Sequence, residues 1–325
     1  MTRLTSCKLA LDTVLARSVA VRLPAVKQLE IDAKCSSGIA EAALGAFKQV
    51  EKLRCALRLL RNPAISSLHS TVTELDSTLD TESTVMTLSV GLAKFSRLSV
   101  LSVRLIHLWL PQPLHVRTLR LKLEGWRGDN CSSLSKSTLP SLTELDLYTH
   151  NWNLIASPDV LHAIGGLAHL TRLRLPALFL RSDDPHCLAS LRGLSNLTSL
   201  QIRATRFRIA QEPVTAEHCE FLSCLTSLEE LDGFPAHLFP CEAMRLLVPL
   251  TRLRVLNLGC VEFEGEFTGA AFAQLRCLPL TSLSLPTCDW TQSALAVARP
   301  LFEHRFAHLM RPTGLSIAGL DAIAS

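Results

Sequence analysis

Two histidines near the C-terminal end have the spacing of a metal site on a helix. The segment EHRFAH, residues 303–308, places His304 and His308 four residues apart, which is about one turn of an α-helix. The HExxH order of zinc hydrolases is absent, and no third ligand is evident nearby. We interpret the pair as solvated or capping histidines of a terminal helix, and we predict no metal and no cofactor.

The cysteines point to a reducing compartment. There are 11 of them, an odd number, and none forms a CxxC pair. Structural zinc sites use paired ligands at short spacing, and small secreted domains use dense, even sets, so neither pattern fits. We therefore predict reduced, buried thiols in a cytoplasmic protein, and the sequence leaves cytoskeletal or ciliary association open.

No motif for catalysis stands out. The sequence contains no GxxxxGK[ST], GxGxxG or GxSxG, so phosphate cradles and nucleophile elbows have no support. The carboxylates are spread evenly along the chain, and no isolated acid and base pair can be selected. We predict that the protein is not an enzyme and has no small-molecule substrate.

Charge and hydropathy exclude two further classes of partner. The chain has 33 Lys and Arg residues and 29 acidic residues, so its net charge is only +4, and no basic block occurs. This is too weak to predict nucleic-acid binding. No segment has about 18 consecutive apolar residues, and charges interrupt the N-terminal apolar run, so neither a membrane span nor a signal peptide is expected.

A repeated pattern of leucines organises the chain. The segment LPSLTELDL at 139–147 has the form L-x-x-L-x-x-L-x-L, and close copies occur at 167–175, 194–202, 225–233 and 247–258. We call the first leucine of each terminal L-x-L the anchor, and the mean anchor spacing is about 25 residues. The anchors are Leu29, Leu53, Leu75, Leu101, Leu119, Leu145, Leu173, Leu200, Leu231, Leu256 and Leu283.

The position seven residues after each anchor supports this period. Nine of these eleven residues are large and apolar, and they include three of the four tryptophans, so a tryptophan there is expected to fill the core. The set is Ser36, Leu60, Glu82, Leu108, Trp126, Trp152, Leu180, Phe207, Leu238, Phe263 and Trp290.

The motif L-x-x-L-x-L with an apolar residue at plus seven resembles the leucine-rich repeat superfamily, and within it the ribonuclease-inhibitor-like and cysteine-containing type. The resemblance covers about residues 23–317 and implies an α/β solenoid, a curved horseshoe with a parallel β-sheet on the concave face and helices on the convex face. The family's Asn or Cys at plus five is matched only by Cys288. Backbone hydrogen bonds or water must therefore satisfy the turns.

The repeats predict one elongated domain. We assign residues 1–22 to an N-terminal cap, 23–299 to a solenoid of about eleven rungs, and 300–325 to a C-terminal cap with a partial last rung. Capping residues and apolar spacing predict helical return segments. These segments are 157–167, 183–194, 214–225 and 240–250.

The residues between the leucines should face out of the sheet. One position after each anchor, charges alternate in sign from rung to rung, which predicts ion-pair ladders and a largely self-neutralised surface. Two places differ: Arg104, Arg120 and Lys122 cluster and could receive an acidic peptide, and aromatic residues appear beside arginines. Our interface hypothesis consists of Tyr148, Arg174, Arg203 and Phe234.

These features predict a non-enzymatic scaffold that binds a protein partner on the concave face. A rigid surface can contact a partner without an ordering cost at the interface. The resemblance also implies a regulatory alternative, either a ubiquitin-ligase substrate adaptor or a small-GTPase-activating protein. Residues 1–50 show no F-box pattern and no single arginine can be assigned as a finger, so fold alone does not decide between them.

Overall fold

The structure is a computed structural model of the 325-residue chain. It describes residues 6–9, 26–31, 44, 47–56, 59–60, 63–77, 86–87, 92, 94–105, 108–110, 112–123, 134–149, 158–176, 185–203, 216–233, 241–257, 263–267, 274–275, 277–284 and 288–290. The chain forms two compact units, Met1–Leu154 and Ile155–Ser325, which divide the range predicted as a single solenoid.

The first unit contains nine described strands. The strands are β1 Ser6–Leu9, β2 Gln28–Ile31, β3 Lys52–Arg54, β4 Glu74–Ser77, β5 Met86–Thr87, β6 Val100–Leu105, β7 Leu108–Trp109, β8 Thr118–Leu123 and β9 Glu144–Thr149. Seven of them form a parallel sheet in the order β1-β2-β3-β4-β6-β8-β9. The short strands β5 and β7 pair separately, also in parallel.

The second unit repeats this design with seven described strands. They are β10 Arg172–Pro176, β11 Ser199–Arg203, β12 Glu230–Asp232, β13 Val255–Asn257, β14 Phe263–Phe267, β15 Ser282–Ser284 and β16 Cys288–Trp290. Five form a parallel sheet in the order β10-β11-β12-β13-β15. The strands β14 and β16 form a second small parallel sheet.

The register places the predicted anchors opposite one another. In the first unit Leu29, Leu53, Leu75, Leu101, Leu119 and Leu145 are successive partners, and in the second unit Leu173, Leu200, Leu231, Leu256 and Leu283 are. The predicted leucine-rich repeat solenoid with a parallel sheet is confirmed within each unit. The sheet also begins before the first anchor. Strand β1 lies inside the predicted N-terminal cap, and its Cys7 pairs with Leu29 of β2.

The return segments are helical, but mostly as 3-10 helix. An α-helix, α1, spans Pro158–Gly165, and a second, α2, has only four residues, Ala216–Cys219. The remaining described segments are 3-10 helices: η1 Pro63–Leu68, η2 Pro185–Gly193, η3 Glu220–Cys224 and η4 Cys241–Leu247. The predicted helical return segments are therefore present within 183–194, 214–225 and 240–250, and their geometry there is mostly 3-10.

The leucine spacing is compatible with the 3-10 geometry. Leu188, Leu191, Leu194 and Leu197 recur every three residues and are at most 2% exposed, which is the period of a 3-10 helix, in which residues three apart lie on the same side. The Leu194 amide donates to the Leu191 carbonyl, and the Leu197 amide to the Leu194 carbonyl, both at 3.0 Å. By contrast, α1 buries positions 160, 161 and 164, a spacing of 3.6-residue type.

The leucines build a continuous apolar core in each unit. Nearly every described leucine of the pattern is less than 3% exposed, and the anchors other than Leu283 are at most 2% exposed. Burying a leucine side chain contributes about 1.5–3 kcal/mol, so these rows dominate the stability of a rung. Since each rung is only a short strand and a short return segment, the rungs acquire this core only by stacking.

Backbone hydrogen bonds link the rungs where each strand begins. Two residues before the anchor, one carbonyl oxygen accepts two consecutive amides of the next rung; the Thr73 carbonyl, for example, accepts from Ser99 at 2.8 Å and Val100 at 3.0 Å. The same arrangement recurs at Lys27, Glu51, Ser99, Arg117, Thr171, Thr198, Glu229 and Arg254. This ladder satisfies buried backbone groups without asparagine side chains.

Several predictions fall on residues that the structure does not describe. They include the plus-five side chains and the plus-seven tryptophans Trp126 and Trp152. The C-terminal cap 300–325, with its two histidines, is outside the described residues as well. At the plus-seven position Leu60 is 6% exposed, and Leu108, Phe263 and Trp290 lie in the small parallel sheets.

Candidate functional site

The candidate site is the side of each main sheet that points away from the leucine core. Alternate residues of a strand point to opposite faces, so the residues one before, one after and three after each anchor share one face. We call this the open face. Its described residues in β2 to β4 are mostly half-exposed, whereas the leucines between them are at most 2% exposed.

An ion-pair network covers the open face over β2 to β4. The Arg54 guanidinium lies 3.6 Å from the Glu30 carboxylate and 3.4 Å from the Asp76 carboxylate, on the two neighbouring strands. Lys52 pairs with Glu74 at 2.9 Å. The predicted alternation of charge is confirmed here, but such half-exposed pairs contribute only about 0–1 kcal/mol each.

A depression of about 200 Å³ opens above this network. It is lined by Ser6, Gln28, Leu29, Glu30, Lys52, Leu53, Arg54, Glu74 and Asp76. Three carboxylates and two cations line it, and the described contacts pair them with one another. The charges at this end of the open face are therefore engaged within the sheet, which favours a role in strand register over direct recognition of a ligand.

A different network occupies the open face of the second unit. The Asp232 carboxylate accepts a hydrogen bond from the Gln201 amide and another from the Asn257 amide, each at 2.6 Å. These residues occupy the same position on β11, β12 and β13. Beside them, the Ser199 hydroxyl donates to Glu230 at 2.9 Å. Here amide and hydroxyl donors replace the cations of the first unit.

The open face of the first unit changes character where β6, β8 and β9 end. Arg104 lies directly opposite Lys122, and Lys122 lies directly opposite Tyr148, in strand register. All three side chains are half-exposed. We call these three residues the cationic row. Arg120, which the sequence also placed in this cluster, instead lies 3.8 Å from the Glu74 carboxylate.

The four residues of the interface hypothesis fall in different parts of the structure. Tyr148 is half-exposed on β9 of the first unit, and Arg174 is exposed on β10 of the second. Arg203 is the last residue of β11, where its backbone pairs with Pro176, and its side chain is not described. Phe234 lies outside the described residues. The structure therefore does not test the hypothesis as a set.

The sequence reasoning missed two arrangements. It did not identify Asp232 as a shared acceptor for two neighbouring rungs. It also missed a row of hydroxyls two residues before the anchor, although six of the eleven rungs have Thr or Ser there. Five of these hydroxyls donate to the carbonyl of the preceding rung at 3.0–3.2 Å: Thr73, Ser99, Thr143, Thr198 and Thr281.

Four cysteines are described as free thiols, and they are of two kinds. Cys55 and Cys219 are buried, and Cys224 and Cys277 are exposed, so burial holds for only two of these four. Burial raises the pKa of the Cys219 thiol to about 12, which keeps it protonated and unreactive at neutral pH. Among the described residues, no three His, Cys, Asp or Glu side chains group together to hold a metal ion.

No helix in the described part of the chain has the length and apolar character to cross a membrane.

Comparisons with known proteins give only distant similarities. No family model matches the sequence, and no curated protein matches it. Among solved structures, an internalin of Listeria monocytogenes is 14% identical with a TM-score of 0.42, covering 85% of this chain and 79% of its own. The leucine-rich repeat protein LegL7 of Legionella pneumophila is 17% identical with a TM-score of 0.41, covering 96% and 93%. A leucine-rich repeat protein of Leptospira interrogans is 14% identical with a TM-score of 0.40, covering 90% and 74%. At these levels the similarities carry no functional argument, and the fold follows from the strand register described above.

Proposed function

We propose that this protein is a non-enzymatic scaffold that binds a protein partner on the open face of its sheet. The observation that carries the proposal is the open face itself. It presents half-exposed side chains at regular positions set by the strand register, and neighbouring rungs hold them in place, as Glu30 and Asp76 hold Arg54. Side chains ordered in advance lose little conformational entropy when a partner binds.

The cationic row and Arg174 are the parts of this surface best suited to contact a partner. Tyrosine and arginine are enriched among residues that dominate interface energies, because each combines a large contact area with hydrogen-bonding groups. Tyr148 is half-exposed and Arg174 is exposed. The ion-paired end over β2 to β4 is less suited, since a partner would have to compete with the pairs already formed there.

The proposal also includes the cytoplasm as the compartment and the ribonuclease-inhibitor-like type as the kind of repeat. The free thiols of Cys55 and Cys219 are compatible with a reducing cytoplasm. A ribonuclease-inhibitor-like type of repeat is supported by the spacing of about 25 residues and by the α-helix α1. The other described return segments are mostly 3-10 helices.

The proposal is tested by affinity capture followed by binding measurements with the purified partner. Wild type, Tyr148→Ala and Arg174→Ala are compared with Val248→Ala, a matched control that trims an exposed apolar side chain outside the sheet. We expect graded losses of affinity for the first two variants and none for the control. If circular dichroism shows all variants folded and each binds with wild-type affinity, the open face is not the binding surface.

A further inference from the structure

Three exposed cations lie where the chain leads into β6 and β8. Lys94 and Arg97 precede β6, and Arg117 directly precedes β8. We call these three residues the basic edge. The Arg117 amide donates to the Ser99 carbonyl of the preceding rung at 2.8 Å, so hydrogen bonds hold the backbone of the two rungs together at this edge.

The two neighbours of Arg117 in its row are uncharged. Lys27, which also lies two residues before an anchor, forms an ion pair with Glu51 of the next rung at 2.8 Å. Arg117 occupies the same row between Ser99 and Thr143, and neither of these residues carries a charge. The pairing of opposite charges that joins Lys27 to Glu51 is therefore interrupted at Arg117.

The two neighbours of Arg97 in its row are not acidic either. Arg97 lies four residues before its anchor, Leu101, and the adjacent rungs have Thr71 and His115 at this position. His115 in turn forms a hydrogen bond with Ser141 of the following rung at 3.4 Å. The positive charge of Arg97 is therefore not balanced within its row.

Two carboxylates near the basic edge are engaged by other residues. The Glu51 carboxylate, two rungs before Arg97, accepts a hydrogen bond from Lys27 at 2.8 Å. Lys27 lowers the pKa of Glu51 through this bond and its charge, and Arg97 adds a weaker effect. The Glu144 carboxylate, at the start of β9, accepts from the Thr118 hydroxyl at 3.3 Å. Neither carboxylate forms an ion pair with the basic edge.

The three cations take part in no ion pair in the part of the chain that the structure describes. Glu74, at the start of β4, pairs with Lys52 at 2.9 Å. Lys94 instead lies near another basic group, because its charge adds to the effect of burial in lowering the pKa of His69. The basic edge therefore presents its positive charge to solvent, where it attracts an external anion.

The spacing of the two arginines suits an extended acidic peptide. Arg97 and Arg117 lie one rung apart and two positions apart relative to their anchors, so their Cα atoms are about 8 Å apart. Alternate residues of an extended chain project to the same side about 7 Å apart, so two carboxylates separated by one residue can each contact one guanidinium. A single-stranded nucleic acid fits less well, because the aromatic ring described at this edge, Phe95, is only 5% exposed and cannot stack on bases.

We propose that the basic edge of Lys94, Arg97 and Arg117 binds an acidic segment of a protein partner, in which two alternate carboxylates contact the two arginines. This inference rests on the proposed scaffold function in taking the ligand to be a protein, and it adds a contact surface beside the open face. Guanidinium and carboxylate groups form charge-assisted hydrogen bonds, which favour acidic sequences over neutral ones.

The test uses fluorescence anisotropy with a fluorescein-labelled peptide of alternating glutamate and serine, and with the same peptide carrying glutamine in place of glutamate. The protein variants are Arg97→Glu, Arg117→Gln and Arg252→Glu, each checked for folding by circular dichroism. Arg252 is exposed and also lies four residues before its anchor, but in the second unit. Its reversal changes the net charge as Arg97→Glu does without altering the basic edge.

We expect the glutamate peptide to bind wild type and Arg252→Glu equally, with an affinity that falls as salt is added. The glutamine peptide should not bind. Arg97→Glu should weaken binding roughly tenfold, and Arg117→Gln, which removes one charge without reversing it, severalfold. Wild-type affinity in both edge variants, equal weakening by Arg252→Glu, tighter binding of single-stranded RNA of the same length, or no binding of the glutamate peptide would overturn the proposal.

The outcomes separate this inference from the proposed function. A captured protein partner whose affinity falls in Tyr148→Ala and Arg174→Ala but not in Arg97→Glu would bind the open face without the basic edge, and only this inference would fail. A partner whose affinity falls in Arg97→Glu and Arg117→Gln alone would bind the basic edge, and the open-face proposal would fail.

Discussion

The Thr198 hydroxyl lies 3.0 Å from the carbonyl oxygen of Thr171 on the preceding rung and donates a hydrogen bond to it. The same oxygen accepts the Thr198 and Ser199 amides at 2.8 and 3.1 Å. A threonine side chain thus joins the backbone ladder that connects the rungs. Because a hydroxyl two residues before the anchor recurs along the chain, each such residue fastens one rung to the one before it.

Replacing Thr198 with valine should destabilise the second unit slightly. Valine keeps the β-branched shape and removes the hydroxyl, while the Thr171 carbonyl keeps its two amide donors. Because no buried group is left without a partner, we expect the free energy of unfolding to fall by only about 0.5–1 kcal/mol. Urea unfolding followed by circular dichroism measures this change. Thr198→Ser, which keeps the hydroxyl, should lose less, and the opposite order would argue against the hydroxyl ladder.

Asp232 should matter more than Thr198 for the stability of the second unit. Its carboxylate accepts from both Gln201 and Asn257, so Asp232→Ala removes two charge-assisted hydrogen bonds. Since these groups are half-exposed and water can replace the carboxylate, we expect a loss of about 1–2 kcal/mol. The measurement is the urea midpoint at constant m-value.

A matched control separates this network from the general loss of a carboxylate. Glu217 is exposed in the short helix α2, and Glu217→Ala should change the stability by less than about 0.5 kcal/mol. If Asp232→Ala is no more destabilising than Glu217→Ala, the two 2.6 Å hydrogen bonds contribute nothing to stability.

The spacing of leucines predicted the sheet well because one residue type repeats at a position where both burial and register demand it. Leu231 and Leu256 align with Leu200, although the spacing between these rungs varies. The spacing of the same leucines does not predict whether a return segment is an α-helix or a 3-10 helix. The same three-residue spacing of buried residues occurs at the α-helix α1, in Leu161, Ile164, Leu167 and Leu170, and at the 3-10 helix η2, in Leu188, Leu191, Leu194 and Leu197.

The sequence predicted contacts in the candidate site only between side chains that the strand register places directly opposite each other. Opposed charges such as Lys52 and Glu74 follow from register, and their ion pair is present at 2.9 Å. Arg120 follows a different rule, because it lies 3.8 Å from Glu74 across the intervening strand β6. The small, buried side chain of Ser102 on that strand leaves room for this contact. Such contacts across a strand depend on the length of the two side chains and on the size of the residue between them. Strand register alone does not give either.

Gly233 should tolerate no side chain. Its φ is +69°, in the left-handed region, and an added Cβ would lie 2.6 Å from the carbonyl oxygen of Ile202 on the neighbouring strand. The conformation alone disfavours alanine by about 1–2 kcal/mol, and the overlap adds to this. We therefore expect Gly233→Ala to lower the free energy of unfolding by more than about 2 kcal/mol. Gly166→Ala, whose Cβ would lie 3.3 Å from the Ala163 carbonyl oxygen, should be milder. Equal effects would contradict the assigned conformation.

His69 should make the stability of the first unit depend on pH. Its ring contacts Phe95 edge-on, with the ring centroids 4.7 Å apart. Burial, and secondarily the charge of Lys94, lowers the pKa of His69 below its ordinary value of 6.5. Between that lowered pKa and 6.5, His69 binds more protons in the unfolded chain than in the folded protein. Its contribution to stability is therefore fully present above pH 6.5 and is lost as the pH falls through the pKa of the folded state.

The pH dependence is measured by urea midpoints from roughly pH 5 to pH 8, where histidine is the main titrating side chain. His69→Gln should reduce the slope below pH 6.5, because glutamine does not titrate. His115→Gln provides the control, since His115 lies exposed beside Ser141 on the surface. If the slope is unchanged in His69→Gln, or falls equally in His115→Gln, the contact with Phe95 does not set the pH dependence.

The four cysteines described as free thiols should react with thiol reagents in two classes. Cys224 and Cys277 are exposed, whereas Cys55 and Cys219 are buried, and burial raises the pKa of Cys219 to about 12. Since only the thiolate reacts rapidly, iodoacetamide at neutral pH should modify the exposed pair in native protein and leave the buried pair unmodified. Peptide mass spectrometry after increasing exposure to urea identifies the modified residues. Cys55 reports on the first unit and Cys219 on the second, so each should become reactive only when its own leucine core opens. Modification of Cys219 in native protein as fast as Cys224 would contradict its burial among the leucines.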